Sequence, residues 1–227
     1  MLTLTWYGHA TWMVEVGGTK LLIDPFFNGN PMSPVRAEEV CADFIVVTHG
    51  HGDHLGDTVA LARRCGAMVI SNFEIVNWLR RQGVEKLHAQ HIGGGYHHPF
   101  GYLKLTQAVH GSSLPDGSYG GMPAGVLLRT EAGTIYHAGD TGLFAGMALI
   151  GEEGIDAALL PIGDNYTMGP EDALRAIRLL HPRLVFPMHY DTWPPIAQDV
   201  QAWAERVEAE TEAEPVILQP GGRYRLT

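Results

Sequence analysis

At 227 residues, 45% hydrophobic and 18% charged, the chain has the size of one α/β or α+β domain (residues 1–227) that can bury its own core, and disorder or a fibrous architecture does not fit it. A formal net charge of −10, from 25 acidic and 15 basic residues with no Lys/Arg run, argues against extended nucleic-acid partners. The 12 histidines exceed what packing needs from side chains that titrate near neutrality, so their placement carries the functional argument.

The N-terminus, MLTLTWYGHATWMVEV, lacks a basic region, a continuous apolar stretch and a small-residue cleavage site; it reads as the first strands, and the expected location is the cytoplasm. Apolar or alternating segments predict strands near residues 2–7, 12–16, 20–24, 44–48, 67–71, 102–109, 124–130, 134–138, 156–161, 184–188, 215–218 and 223–226. Their apolar runs are strand-sized, far below the roughly 20 residues that cross a bilayer, so no membrane partner is expected. Helices are predicted over 56–65 and 73–82, closed by Gly66 and Gly83. Another is predicted over 170–181, where Pro170 suits the first position and Glu171 and Asp172 the positive first turn. A last one follows Pro194-Pro195, with Val200, Trp203 and Val207 on one face. So many amphipathic elements need two sheets, which predicts a four-layer αββα sandwich of two mixed β-sheets flanked by helices. Cys41 and Cys65 fall into no CxxC or Cys/His spacing and are expected to be reduced, with a lone disulfide as the alternative.

After the apolar run Phe44 to Val47 comes Thr48-His49-Gly50-His51-Gly52-Asp53-His54. A strand that ends in a Gly-containing loop can turn alternate side chains toward one point, and neutral imidazole with carboxylate suits zinc and its neighbours. His49 and His51 can share one ion while Asp53 and His54 reach another. Further metal-competent side chains close other strands: His110 after Leu103 to Val109, Asp140 after Thr134 to Gly139, and His189 after Leu184 to Met188. Strand ends are where a layered α/β domain gathers its site.

His49-x-His51-x-Asp53-His54 followed by His110, Asp140 and His189 resembles the metallo-β-lactamase superfamily over nearly the whole chain. Tyr7-Gly8-His9-Ala10, Leu22-Ile23-Asp24-Pro25, His110-Gly111-Ser112-Ser113, Ala138-Gly139-Asp140-Thr141 and Pro187-Met188-His189-Tyr190 are similar to the branch of metal-dependent hydrolases related to L-ascorbate 6-phosphate lactonases, as is the run Pro161 to Gly169. The resemblance implies two divalent metal ions, zinc first, with manganese, nickel or iron as alternatives. It places His49, His51 and His110 on one ion, Asp53, His54 and His189 on the other, and Asp140 between them. It implies that a hydroxide between the ions cleaves a lactone, ester, amide or phosphoester bond of a small or medium substrate, with Asp53 and Asp140 catalytic.

Around that set, Asp24 is read as the outer partner of a ligand histidine, with a loop-capping aspartate as the alternative. His9 is read as contacting substrate or orienting a ligand rather than as a structural histidine. Asp164, Asn165 and Tyr166 either line the pocket or form a turn. His88, His91, His97 and His98 are expected in a solvated hairpin, and His137 and His181 in structural roles. The competing class is an iron-dependent oxidoreductase on the same fold, opposed by His51 where di-iron members carry glutamate. A scaffold that lost its chemistry is opposed by the complete ligand set. Partners are thus a small-molecule substrate, with homo-oligomerisation left open.

Overall fold

The computed structural model describes residues 1–226. The first half of the chain forms β1 (Leu2–Trp6), β2 (Trp12–Val16), β3 (Thr19–Ile23), β4 (Phe44–Val46), α1 (Gly52–Leu55), α2 (Thr58–Cys65), β5 (Met68–Asn72), α3 (Phe73–Arg81) and β6 (Leu87–Gln90). The second half forms β7 (Gly95–His98), β8 (Gly101–Gln107), β9 (Ala124–Thr130), β10 (Gly133–His137), α4 (Met147–Gly151), β11 (Ala157–Pro161), α5 (Pro170–Leu180), β12 (Leu184–Met188), α6 (Val200–Glu210), β13 (Glu214–Pro215) and β14 (Arg223–Leu226). Two seven-stranded mixed sheets result, ordered β14-β1-β2-β3-β4-β5-β6 and β13-β12-β11-β10-β9-β8-β7, the αββα sandwich the pattern predicts. Among the described residues no helix is long and apolar enough to cross a membrane.

Strand direction decides where the site lies. β1 and β3 are both antiparallel to β2, and β4 is parallel to β3, so β1, β3 and β4 run the same way. In the second sheet β8 and β10 are both antiparallel to β9, and β11 and β12 continue parallel to β10. Within each sheet the carboxyl ends of these strands open at one end of the sandwich, where loops can converge.

The packing follows from period-2 alternation. In β3, Leu21 and Ile23 join the large cluster between the sheets, with Trp6, Trp12, Leu105, Leu159 and Phe186. Leu22 points to the other face and packs with Ile45, Val69, Leu61, Ile75 and Leu79 under α2 and α3. A strand covered on both faces reads as an unbroken apolar run. Asn72 caps α3 by accepting a hydrogen bond from the Ile75 amide at 2.9 Å, while its amide nitrogen donates to the Gly120 carbonyl at 2.7 Å.

Four expectations change. The histidine-rich segment is no hairpin: β6 pairs in parallel with β5 in the first sheet, and β7 pairs antiparallel with β8 in the second. Gly93 to Gly95 carry the chain from one sheet to the other, so His88 and His98 meet across the gap with ring centroids 4.9 Å apart. His98 is buried and stacks on Phe100 at 5.1 Å, while His91 and His97 are exposed. The helix expected over 56–65 forms as α2, starting at Thr58 and closed by Gly66, and an unanticipated turn of helix, α1, precedes it; Gly56 between them, at φ +36°, passes so close to the Pro25 carbonyl that a Cβ would sit 2.3 Å from its oxygen. The short α4 was not anticipated from the sequence; its buried Met147 and Ile150 seat it on the core. Finally, Cys41 and Cys65 are not reduced but form a disulfide. Their separation of 24 residues matches no local motif, and only the folding of β4 and α2 against one another brings the two Cα atoms to 5.7 Å.

Candidate metal centre

Each candidate side chain follows the carboxyl end of a co-directional strand: His9 after β1, Asp24 after β3, His49 to His54 after β4, His110 after β8, Asp140 after β10 and His189 after β12. Three of these residues adopt left-handed backbone, His9 at φ +52°, Asp24 at +47° and His189 at +54°. Non-glycine residues are rare there and need outside support, a strain that concentrates at functional sites. The support is present. The His189 amide donates to the His9 carbonyl at 3.1 Å, and the Asp24 amide donates to Val46 at 2.9 Å. Gly139, just before Asp140, sits at φ +63° with room for no side chain, since a Cβ would lie 2.5 Å from the Ala124 carbonyl oxygen.

The side chains assemble into three overlapping groups, each with ligand atoms all within 4.8 Å of one another: His49, His51 and His110; His49, His54 and Asp140; and His9, Asp53, His54 and His189. Asp140 stands among them. Its Oδ2 is 3.0 Å from His189 Nε2, 3.5 Å from His110 Nε2 and 4.0 Å from His49 Nε2, while Oδ1 is 3.3 Å from His54 Nε2. Eight side chains from both sheets thus close on one spot, and the carboxylate touches both subsets.

Asp24 sets which ring nitrogens face that spot. His54 Nδ1–H donates to Asp24 Oδ2 at 2.7 Å, which turns Nε2 toward Asp140. Thr48 donates its one hydroxyl proton to the same Oδ2 at 2.6 Å and its amide to Oδ1 at 2.8 Å. The Thr48 oxygen is then the acceptor for His49 Nδ1–H at 3.0 Å, which frees His49 Nε2 as well. One buried carboxylate therefore orients two rings, the arrangement that outer groups provide around ligand histidines. His9 bridges similarly, with Nδ1 2.8 Å from Thr192 Oγ1 and Nε2 3.2 Å from Asp53 Oδ2.

The donor set fits cations. His54 Nε2 and Asp140 Oδ1 are buried without a hydrogen-bond partner, a costly state for polar atoms unless an ion satisfies them. Burial disfavours a charged His54, yet Asp140 and Asp24 outweigh it and raise its pKa well above the imidazole norm. The pocket demands positive charge there. Burial also opposes ionisation of Asp140, but His189 and His54 hold it well below the usual carboxylate range. Asp53 behaves likewise: burial pushes its pKa up, and the His9 hydrogen bond and the His54 charge pull it lower still. His49 is lowered by burial and by His54, and His9 is lowered to about 4 by burial and by His189, so both rings are neutral near pH 7. Neutral imidazole with ionised carboxylate is the metal-binding state.

Asp164, Asn165 and Tyr166 do not join the cluster; they form an exposed turn in which the Asn165 amide donates to Asp164 Oδ1 at 2.9 Å. His137 is buried away from it, with Nε2 3.0 Å from the Ala10 carbonyl, and His181 closes α5 in left-handed conformation. Thr48, Thr192 and Trp193 contribute without any pattern of their own. Trp193 packs edge-on to His9 at 5.1 Å. Their only signal is adjacency to His49 and His189. A surface cleft lined by Arg178, His181 and Arg183 lies at the amino ends of β11 and β12 and holds none of the cluster.

Comparison with known proteins places the chain among metal-dependent hydrolases. Residues 19–190 match the Beta-lactamase superfamily domain. The chain is 50% identical over 226 residues to a UPF0173 metal-dependent hydrolase of Thermus thermophilus, covering 100% of both. A UPF0173 metal-dependent hydrolase of Heliobacterium modesticaldum is also 50% identical, over 234 residues, with 100% of this chain and 98% of the relative covered. Among solved structures, Igni18, a metallo hydrolase of the archaeon Ignicoccus hospitalis, superposes with a TM-score of 0.90 at 38% identity over 100% of this chain and 99% of its own.

Proposed function

Since the chain belongs to the β-lactamase superfamily and is a metal-dependent hydrolase within it, we propose that it works with two divalent ions on a lactone, ester, amide or phosphoester bond of a small or medium substrate. His49, His51 and His110 would hold one ion, Asp53, His54 and His189 the other, and Asp140 both. Zinc is the first choice for this mixture of imidazole and carboxylate, ahead of manganese, nickel and iron. Bound there, divalent ions polarise the scissile carbonyl or phosphoryl oxygen and supply a nucleophile at neutral pH.

The chain's own groups position that chemistry. Asp24 holds His54 directly and His49 through Thr48, so that neither ring can turn its protonated nitrogen inward. Asp53 is the partly exposed carboxylate, held by His9, and would orient the attacking water as well as bind metal. The substrate would enter past His51, Asp53 and His110, the members of the cluster that are not fully buried.

The observation that carries this reading is the contact of Asp140 with both histidine subsets around buried, unpartnered ligand atoms. Elemental analysis of protein purified without added metal should return about two divalent ions per chain, with zinc or manganese above iron. Asp140→Ala and His51→Ala should each lose metal and abolish ester or phosphodiester hydrolysis while the fold survives. Full turnover in either variant sinks the site, and predominantly iron with oxygen-dependent turnover would move the protein to the redox class.

A further inference from the structure

We propose that the non-reacting part of the substrate is uncharged and apolar, so that the enzyme acts on neutral esters, lactones or amides and discriminates against substrates that carry a remote phosphate or carboxylate; this rests on the hydrolytic reading above. The inference comes from the distribution of charge around the cluster. The connections that leave or enter strands at the site end of the sandwich are residues 7–11, 24–43 (which cross to the other end), 47–57, 91–94, 108–123, 138–146, 162–169, 189–199 and 219–222. Of the 15 basic residues, Arg36 alone falls in these segments, and its guanidinium lies 3.9 Å from both Glu38 and Glu39. Arg223 begins β14 nearby, but it lines a cleft with Tyr7, Met13 and Glu15, away from the cluster. An anionic substituent distant from the reacting bond would therefore lose water without gaining a counter-charge, and it would face the Asp53 carboxylate as well.

Exposed aromatic and aliphatic side chains are chain neighbours of the cluster or lie on loops bonded to it. Trp193 is 36% exposed, edge-on to His9 and 6.1 Å from the Phe26 ring. Tyr166, 57% exposed, rides on a turn fixed beside Asp140, because the Met168 amide donates to the Thr141 carbonyl at 2.9 Å and the Asp164 amide to Met168 at 3.1 Å. Val109 is exposed next to His110, with its amide bonded to Thr141 Oγ1 at 2.9 Å. Tyr119 is exposed on a loop tied to Gly50, between His49 and His51: the Gly50 amide donates to Ser112 Oγ, and Ser112 Oγ donates to the Gly120 carbonyl. Exposed aromatic rings anchored by the backbone around a polar centre are what a site for an apolar group presents. The acids on the same face already hold hydrogen-bond donors. Asp116 accepts from Ser118 and Trp78, Asp191 from the Gln198 amide and Asp164 from Asn165.

The zinc-loaded protein is assayed with 4-nitrophenyl pentanoate and with the glutarate half-ester of 4-nitrophenol, which differ by a terminal carboxylate in place of a methyl group. A preference of about tenfold or more in kcat/KM for the pentanoate is expected, about 1.4 kcal/mol. Trp193→Ala should reduce the ratio of pentanoate to acetate turnover, which a purely structural tryptophan would leave alone. A second arm needs no turnover: calorimetric titration with benzohydroxamate and 4-carboxybenzohydroxamate, both metal chelators, should give the weaker Kd for the carboxylated probe. Equal or tighter binding of that probe, or faster cleavage of the glutarate ester, overturns the inference. If neither ester is cleaved while benzohydroxamate still binds more tightly, ester hydrolysis fails and the substrate class stands.

Discussion

Asp24 is the residue through which a single atom change should be most visible. Its two oxygens accept from the Thr48 amide, the Thr48 hydroxyl and His54 Nδ1, three donors that an amide side chain cannot all satisfy. Asp24→Asn should weaken zinc affinity about 10–100-fold, measured by competition with a chelator, while far-UV circular dichroism stays unchanged. Unaltered affinity would reduce Asp24 to a loop cap. Residue identities around the centre were largely readable beforehand, because metal ligation restricts side-chain type so narrowly that His49-x-His51-x-Asp53-His54 stands out from any packing pattern. Thr48 and Thr192 were not readable in that way. A hydroxyl has many uses, and only the spatial neighbours His49 and His9 reveal theirs.

At the level of elements, the loop after β11 must pass hard against the loop that carries His189. A Cβ on Gly163 would stand 2.1 Å from the His189 carbonyl oxygen, so Gly163→Ala has to displace one backbone or the other. The expected result is a loss of about 1–3 kcal/mol in chemical unfolding together with weaker metal binding, since overpacking moves His189. A stability loss with intact metal affinity would show that the β11 loop yields instead. The edge strands β6 and β7 supply a pH test. His98 is held to a pKa of about 4 by burial and by the neighbouring His88. Between the ordinary imidazole value and 4 the unfolded chain takes up a proton that the folded chain refuses, so stability is complete above about pH 6.5 and falls as the pH drops toward 4. His98→Phe should flatten that part of the profile in urea unfolding across the range. These two strands were missed in the sequence because they are four residues each, polar, and rich in His and Gly, whereas β3, β9, β11 and β12 announce themselves as runs of buried Val, Leu and Ile.

For the whole molecule, the Cys41–Cys65 bridge ties the approach to β4 to the end of α2, on either side of the loop that carries His49 to His54. Closing a loop of this separation should contribute about 3 kcal/mol through the unfolded state, so Cys65→Ser, or reduction with dithiothreitol, should lower the unfolding midpoint accordingly. An identical midpoint with and without reductant would mean that the bridge constrains nothing. What the sequence by itself determined is the layered architecture, through alternating apolar strands and amphipathic helices, and the kind of chemistry, through a cluster of histidines and carboxylates that packing does not require. Both are local or compositional properties. The tertiary structure alone decided that Cys41 meets Cys65, that β6 and β7 belong to different sheets, and that Asp24 orients two histidines. Each of these depends on residues far apart in the chain, brought together by strand order and register, which spacing along the sequence does not encode.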